Sequence, residues 1–311
     1  MSLYHKSAIA TGTESLLPRQ RRLPAPRLNP MMPCDTAFRV IARRYLNELM
    51  SYHDATCSGD ATALHQMRVS LTRLRTVISF YSPMVADTER PRIRDELKWL
   101  NSQLGAVRDL DVAIERLNTV NQDKPHAEPY YRSWSERRAS DHRRLARALR
   151  SIRYRRLVRS LSDWIENGLW STAGGRQAAK ERACPIAEYG AEKLARWQQR
   201  LLKKSGRLLK MDAEKRHRLR LLNKKLTYST EACEDLFSDK EFSQQPAALK
   251  YLRKAQRALG QLNDDERGQS LAATLQRDGA RSPWRFIKPK REKRLLRTAI
   301  AAYAKLEALA K

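Results

Sequence analysis

Apolar residues recur every three or four positions along most of this chain, which is the period of an amphipathic α-helix. The clearest example lies at about 61–81, where five apolar residues share one helical face: Leu64, Met67, Leu71, Leu74 and Ile78. The same period predicts further helices at about 35–57, 97–104, 107–121, 130–150, 152–166, 185–210, 213–238, 245–260, 262–278 and 290–309. No segment alternates between apolar and polar residues as a β-strand would. We therefore predict an all-α protein, whose short connections indicate antiparallel helical bundles.

Local sequence signals set the expected boundaries of these helices. Asp35 and Thr36 are expected to cap the first helix, and Gly105 is expected to end the third. Residues 1–33 are rich in proline and arginine and have no apolar period, so we predict a disordered basic leader rather than a transit peptide. The glycine-containing stretch at 168–175 is the best candidate for a linker.

The net charge of the chain indicates what kind of partner it binds. The 311 residues include 62 lysines and arginines against 34 acidic residues, a formal net charge of +28. Self-repulsion at this charge opposes folding, so a polyanionic partner is expected. Arginine outnumbers lysine along most of the chain, and its planar guanidinium suits phosphate oxygens. Aromatic residues make up only 7% of the chain, which disfavours a protein that stacks unpaired bases.

The spacing of the cysteines and the hydropathy of the chain argue against a disulfide-bonded, zinc-binding, secreted or membrane-spanning protein. The four cysteines are widely spaced and form no C-x-x-C pair, which indicates a reducing compartment, with neither a disulfide framework nor a zinc site. No apolar run reaches the length of a transmembrane helix, and no signal-peptide core is present. We predict a cytoplasmic protein that needs no metal or cofactor and does not insert into membranes.

A cationic stripe borders the apolar face of the helix at 61–81 and recurs later in the chain. It consists of His65, Arg68 and Arg75, with the neutral Thr72 between them. The corresponding stripe at 213–238 consists of His217, Arg220 and Lys224, with Thr227 neutral. The same alignment pairs Arg73 with Lys225. A basic stripe beside a core face can line a groove between helices.

A second motif repeats in the same order. Leu104-Gly105-Ala106-Val107-Arg108-Asp109 matches Leu259-Gly260-Gln261-Leu262-Asn263-Asp264, and the two glycines follow their histidines by 40 and 43 residues. We infer a tandem duplication, with one repeat at about 35–167, a linker at about 168–184 and a second repeat at about 185–310. The two copies are expected to form two pseudo-symmetric helical bundles.

These motifs resemble the CHAD family, the conserved-histidine α-helical domain. The resemblance rests on His65-x-x-Arg68-Val69 with Arg73-Leu74-Arg75, on Leu104-Gly105-x-x-Arg108-Asp109-x-Asp111, and on the weaker set from His217 and Gly260. It covers about 35–310, within a domain expected at 34–310. It implies that the chain binds inorganic polyphosphate, or another phosphate-rich polyanion, through a basic surface and a pore between two bundles. It also suggests association with polyphosphate granules.

The candidate polyphosphate-binding residues come from the two stripes, the second motif and an arginine-rich segment at 143–159. They are His65, Arg68, Arg73, Arg75, Arg108, Arg147, Arg150, His217, Arg220, Lys224 and Lys225. Arg147 and Arg150 could equally lie on a solvated helix face. The histidines could donate to phosphate or be neutral structural groups. Asp109, Asp111 and Asp264 would orient arginine or histidine side chains, or cap the fourth helix.

Two other functions stay open at this stage. The charge and the arginine-rich helices also suit a nucleic-acid-binding protein, although no familiar nucleic-acid-binding motif is present. A polyphosphate-processing enzyme would need a cluster of carboxylates for metal ions or an activated nucleophile, and the sequence contains no such acidic pattern. We therefore expect a protein without catalytic residues.

Overall fold

A computed structural model gives the fold of residues 27–120, 128–275 and 288–309. These residues are helical and contain no β-strand, which confirms the predicted all-α class. None of the helices in this part of the chain is long and apolar enough to cross a membrane. The eleven α-helices are α1 (Cys34–Ser51), α2 (His53–Cys57), α3 (Ala61–Phe80), α4 (Arg90–Val120), α5 (Glu128–Arg150), α6 (Ile152–Asn167), α7 (Arg176–Ala183), α8 (Ile186–Ser205), α9 (Ala213–Ala232), α10 (Gln245–Leu275) and α11 (Pro289–Ala308).

Helix α3 begins where its sequence predicts. The Asp60 carboxylate accepts hydrogen bonds from the backbone N–H groups of Thr62 and Ala63 at 2.7 and 3.0 Å. This cap satisfies two of the donors that every helix leaves free at its first turn. Gly59 precedes it with a φ of +91°, a conformation that favours glycine. The predicted apolar stripe is buried throughout and faces α1, α4 and α9.

Several predicted boundaries are wrong. Gly105 does not end a helix but lies inside α4, and Gly260 lies inside α10, so that each predicted pair of helices is a single helix of 31 residues. An interior glycine costs only about 1 kcal/mol relative to alanine, which the buried leucines on either side of Gly105 easily offset. Helix α1 begins at Cys34, before the predicted caps, and is followed by the separate short helix α2.

Aromatic side chains join the two halves of the chain in one core. Phe38 packs edge-to-face against Tyr81, Trp164 and Trp170, with ring centroids 5.1–5.9 Å apart. Tyr81 in turn stacks on Tyr189 of α8, with centroids 5.7 Å apart. The halves therefore share buried surface and do not form separate domains.

The segment at 168–184, predicted as a linker, is also packed. It contains α7, and the buried Arg182 donates from Nη1 to the backbone oxygens of Met84, Trp170 and Ala173, at 3.5, 2.9 and 2.8 Å. A cation placed among three carbonyl groups is held firmly. Local sequence patterns do not reveal this contact, because Met84 lies 98 residues away from Arg182.

The end of the predicted disordered leader is packed as well. Leu28 is buried and its N–H donates to Asp235, while the N–H of Ile186 donates to the carbonyl of Met32 at 2.9 Å. Residues 28–33 are therefore tied to the second half of the chain, through backbone contacts that apolar periodicity does not reveal. The rest of the predicted leader, residues 1–26, lies outside the described residues.

Candidate functional site

Helices α3, α4, α9 and α10 meet at a cluster of charged side chains. Arg68 of α3 donates from Nη1 to the carbonyl of Gly105 and to the carboxylate of Asp109, each at 3.3 Å. The other oxygen of Asp109 accepts a hydrogen bond from Arg267 of α10. One carboxylate thus positions guanidinium groups from two helices, which confirms the orienting role expected of Asp109.

Arg220 and Lys224 of α9 lie opposite Arg68. Burial lowers the pKa of Arg220, and the nearby Arg267 and Arg68 act in the same direction against Asp264. Burial also lowers the pKa of Lys224 to about 7, again with Arg220, Arg68 and Arg267 adding to the effect and Asp264 opposing it. We call Arg68, Arg220, Lys224 and Arg267 the central cation cluster.

Two members of this cluster have Asp264 as their nearby acidic group but form no ion pair with it. Within the described residues, neither Arg220 nor Lys224 forms an ion pair, and the Nε of Arg220 is buried without a hydrogen-bond acceptor. The Lys224 ammonium lies 5.4 Å from the centroid of the Tyr228 ring, a weak cation–π contact. Half-buried cations that form no ion pair are costly, so an anion that entered the cluster would be strongly favoured.

His65 lies on α3 one turn before Arg68, with its side chain exposed. Desolvation lowers the pKa of its ring, and the cations Arg108, Lys224 and Arg68 lower it further. Arg108 pairs with Glu115 at 3.1 Å. His65 is therefore mostly neutral at pH 7 in the free protein, and its charge depends on what neutralises the cations around it.

Arg75 lies on the same face of α3, two turns beyond Arg68. Burial lowers its pKa. Burial likewise lowers the pKa of Lys225, with further contributions from Arg75 and from Arg200 of α8. From His65 to Arg75 the basic side chains extend over about 15 Å of α3. We call this row, together with the central cation cluster, the cationic track.

One predicted site residue, Arg73, points away from the track. Arg73 pairs with Glu231 at 3.2 Å and Glu48 at 3.8 Å, and lies between the rings of Tyr45 and Tyr228. These contacts link α3 to α9 and occupy the guanidinium with protein groups. The reason is geometric, because Arg73 lies about 140° around the helix from Arg68.

His217 differs from His65 in its surroundings. Its Nδ1 hydrogen-bonds to Oδ1 of Asn263, at 2.8 Å, where the first copy of the motif has Arg108. Thr227 is fully buried and bonded to Asn223. The second copy therefore uses neutral polar contacts at positions where the first copy has basic ones.

Arg147 and Arg150 lie outside the track. Both are exposed at the end of α5, which packs against α2, α4 and α6. Arg150 is close to the thiol of Cys57. Elsewhere on α5, Arg138 and His142 hold Asp111 at 2.6 and 3.0 Å, so that Asp111 has the predicted orienting role. Burial alone would raise the pKa of Asp111, but these two hydrogen bonds lower it.

Sequence reasoning missed Arg267 and Arg200. A signal existed for Arg267, because it follows Asp264 by three residues and so lies on the same face of α10. Arg200 belongs to neither repeated motif. In the described ranges, no three histidine, cysteine or acidic side chains lie together as metal ligands would.

Comparison with known proteins gives one family and two solved structures. The family model for the CHAD domain matches residues 40–273. The crystal structure of the CHAD domain from the plant Ricinus communis matches with a TM-score of 0.74 and 24% identity, covering 91% of this chain and 95% of that chain. PptA from Streptomyces chartreusis matches with a TM-score of 0.56 and 16% identity, covering 89% and 96%. No curated protein sequence matches the chain. At these identities the two structures establish likeness of fold.

Proposed function

We propose that this chain, which belongs to the CHAD domain family, binds inorganic polyphosphate along the cationic track and catalyses no reaction on it. The family predicted from the sequence motifs is confirmed by the match over residues 40–273. The observation that carries the proposal is the pair of half-buried cations, Arg220 and Lys224, which form no ion pair among the described residues.

Polyphosphate is the polyanion whose chemistry fits this arrangement best. It is a linear chain with about one negative charge per phosphate and no bases to stack. The track offers guanidinium and ammonium donors in a row, which would bind non-bridging oxygens through charge-assisted hydrogen bonds. The aromatic residue beside the central cluster, Tyr228, is itself buried, so it offers no exposed face for a base.

The proposed site is pseudo-symmetric. Arg73 contacts Glu231, and Lys225 contacts Ser79 at 3.4 Å. In the repeat alignment Arg73 matches Lys225 and Ser79 matches Glu231, so the two contacts are images of each other. This relation supports two duplicated bundles that meet across α3 and α9. The two walls are still unequal, since Lys224 matches Thr72.

The acidic residues of the track support binding without catalysis. Asp109 holds two guanidinium groups, and Asp264 faces Arg220 and Lys224. Carboxylates in these positions orient cations, and proton transfer by Asp109 would break two ion pairs.

We place the protein in the cytoplasm, in association with polyphosphate granules.

Competition separates this proposal from nucleic-acid binding. Labelled polyphosphate bound to the full chain is challenged with unlabelled polyphosphate, duplex DNA or RNA at equal phosphate concentration. We expect polyphosphate alone to displace the label efficiently. Equal displacement by DNA or RNA would overturn the proposal. Release of orthophosphate during incubation with polyphosphate and a divalent cation would show that the protein is an enzyme.

Charge reversal locates the site. The double substitution Arg68→Glu with Arg220→Glu should weaken polyphosphate binding at least about 100-fold, because two charge-assisted contacts are lost and replaced by repulsion. The double substitution Arg147→Glu with Arg150→Glu changes the net charge equally and is the matched control. Circular dichroism confirms that both variants are helical. If the control loses as much affinity as the track variant, the binding site lies on α5.

A further inference from the structure

The central cation cluster contains one primary amine, Lys224, among three guanidinium groups. We propose that Lys224 is a site of covalent acylation by acyl phosphates, small metabolites in which a carboxylic acid is joined to phosphate as a mixed anhydride. Such a molecule carries an electrophilic carbonyl carbon and a dianionic phosphate group next to each other. It therefore matches a site that offers a nucleophile beside phosphate-binding cations.

The guanidinium groups come from three different helices and would hold the phosphate end. Arg68 and Arg267 are fixed by their shared hydrogen-bond acceptor, Asp109. Arg220 extends from the same helix as Lys224, one turn earlier, and has no ion-pair partner in the described part of the chain. A phosphate group bound by these side chains would place its attached carbonyl group close to the Lys224 amine.

The amine is also suited to attack. Arg68, Arg220 and Arg267 face it, Asp264 is the acidic group that opposes them, and burial is the largest effect, so that its pKa falls to about 7. About half of the Lys224 side chains are then neutral at pH 7, whereas an ordinary lysine has roughly one neutral amine in 2,500. A neutral amine is the nucleophilic form.

The reaction balances without any other reagent. The ε-nitrogen attacks the carbonyl carbon and forms a C–N bond, and the bond between that carbon and the phosphate oxygen breaks. Inorganic phosphate leaves with the electron pair of the broken bond and takes the proton lost by nitrogen. The product is a neutral amide at Lys224.

Acylation would change the track. The amide carries no charge and is bulkier than the ammonium group, so the central cluster would lose one of its four cations. If the proposed polyphosphate function is correct, acylation weakens polyphosphate binding, and bound polyphosphate in turn protects Lys224. Acylation itself rests on the cluster and not on that function.

The test measures acylation site by site. The full chain is incubated with acetyl phosphate at pH 7, and peptide mapping by mass spectrometry gives the acetylation rate of each lysine. Lys203 and Lys250, both exposed on other helices, are the internal controls. We expect Lys224 to react at least about tenfold faster than either, because so much more of its amine is neutral. A rate at Lys224 equal to or below that of the controls overturns the proposal.

A second reagent isolates the contribution of phosphate. The N-hydroxysuccinimide ester of acetic acid transfers the same acetyl group without a phosphate. The preference for Lys224 over Lys203 should be several-fold greater with acetyl phosphate than with the ester, and excess orthophosphate should abolish the difference. An equal preference with both reagents would contradict the role assigned to Arg68, Arg220 and Arg267.

Polyphosphate binding is measured on the same samples, so that the two proposals fail separately. Binding of polyphosphate without acetylation of Lys224 would overturn this inference and leave the proposed function intact. Acetylation without polyphosphate binding would do the opposite. In the variant Lys224→Arg, which lacks the amine, no lysine should be acetylated faster than the exposed controls Lys203 and Lys250.

Discussion

Lys224 should make the free protein less stable than it would be with an apolar residue at the same position. Its pKa falls from the ordinary 10.5 to about 7 because burial and neighbouring arginines disfavour the charged form. At pH 7 this difference corresponds to about 4 kcal/mol of lost stability. The variant Lys224→Met removes this destabilising effect, but it also loses the favourable contact with the Tyr228 ring, which reduces the gain in stability by about 0.5–1 kcal/mol. We therefore expect the variant to be about 3 kcal/mol more stable.

The pH dependence of this stability difference shows whether the lowered pKa of Lys224 causes it. Between pH 7 and 10.5 the unfolded state binds more protons at this lysine than the folded state, so its destabilising effect shrinks as the pH rises. Above 10.5 both states are neutral and the effect is gone. The advantage of Lys224→Met over the natural chain should therefore be full at pH 7, intermediate at pH 8.5 and small at pH 10.

Urea unfolding followed by circular dichroism gives the free energies of both proteins at each pH. Lys203→Met, a substitution of an exposed lysine, is the matched control and should change stability by no more than about 0.5 kcal/mol at any pH. The reasoning is refuted if Lys224→Met is no more stable than the natural chain at pH 7. It is also refuted if a gain persists unchanged to pH 10. The stabilised variant should bind polyphosphate more weakly.

Three further expectations concern other parts of the molecule. Polyphosphate at 100 times its dissociation constant should stabilise the folded state by about 2.7 kcal/mol and raise the melting temperature, and an unchanged midpoint would argue against specific binding. Polyphosphate should also raise the pKa of His65, because it neutralises Arg108, Lys224 and Arg68, the cations that lower it. An NMR titration with His65→Gln for assignment tests this, and an unshifted pKa would remove His65 from the site. Arg182→Met should cost about 3 kcal/mol in urea unfolding, since three backbone oxygens lose their donor, while leaving polyphosphate affinity unchanged. A loss of less than 1 kcal/mol would mean that water replaces the guanidinium.

The elements with strong local signals were predictable. The apolar stripe of α3 and the boundary between α5 and α6 both follow from residues close together in sequence. The lengths of α4 and α10 were not predictable, because glycine is a weak helix breaker and tertiary packing decides whether the helix continues. The packed state of residues 28–33 depends on contacts with residues more than 150 positions away.

The candidate site was predictable where the repeat marks it. Arg68 lies on one of the two matching basic stripes and Arg220 and Lys224 on the other, and the helices that carry these stripes, α3 and α9, are in contact. Arg73 belongs to the same motif, but its role is decided by Glu231, 158 residues away. Arg267 reaches the cluster through Asp109 at the same sequence separation. Helical periodicity gives the face of a side chain but not its partner across a helix interface.

The stacking of Tyr81 on Tyr189 limits how this chain can evolve. Two duplicated units often remain able to fold alone, so that either one can later be lost or exchanged. Here each half supplies part of a shared aromatic core, and removal of either would expose the rings of Phe38, Tyr81 or Tyr189 to water. Neither half is therefore expected to fold stably without the other. Substitutions can make the two walls of the track differ in chemistry, as at Thr72 and Lys224, while the common core keeps the walls together.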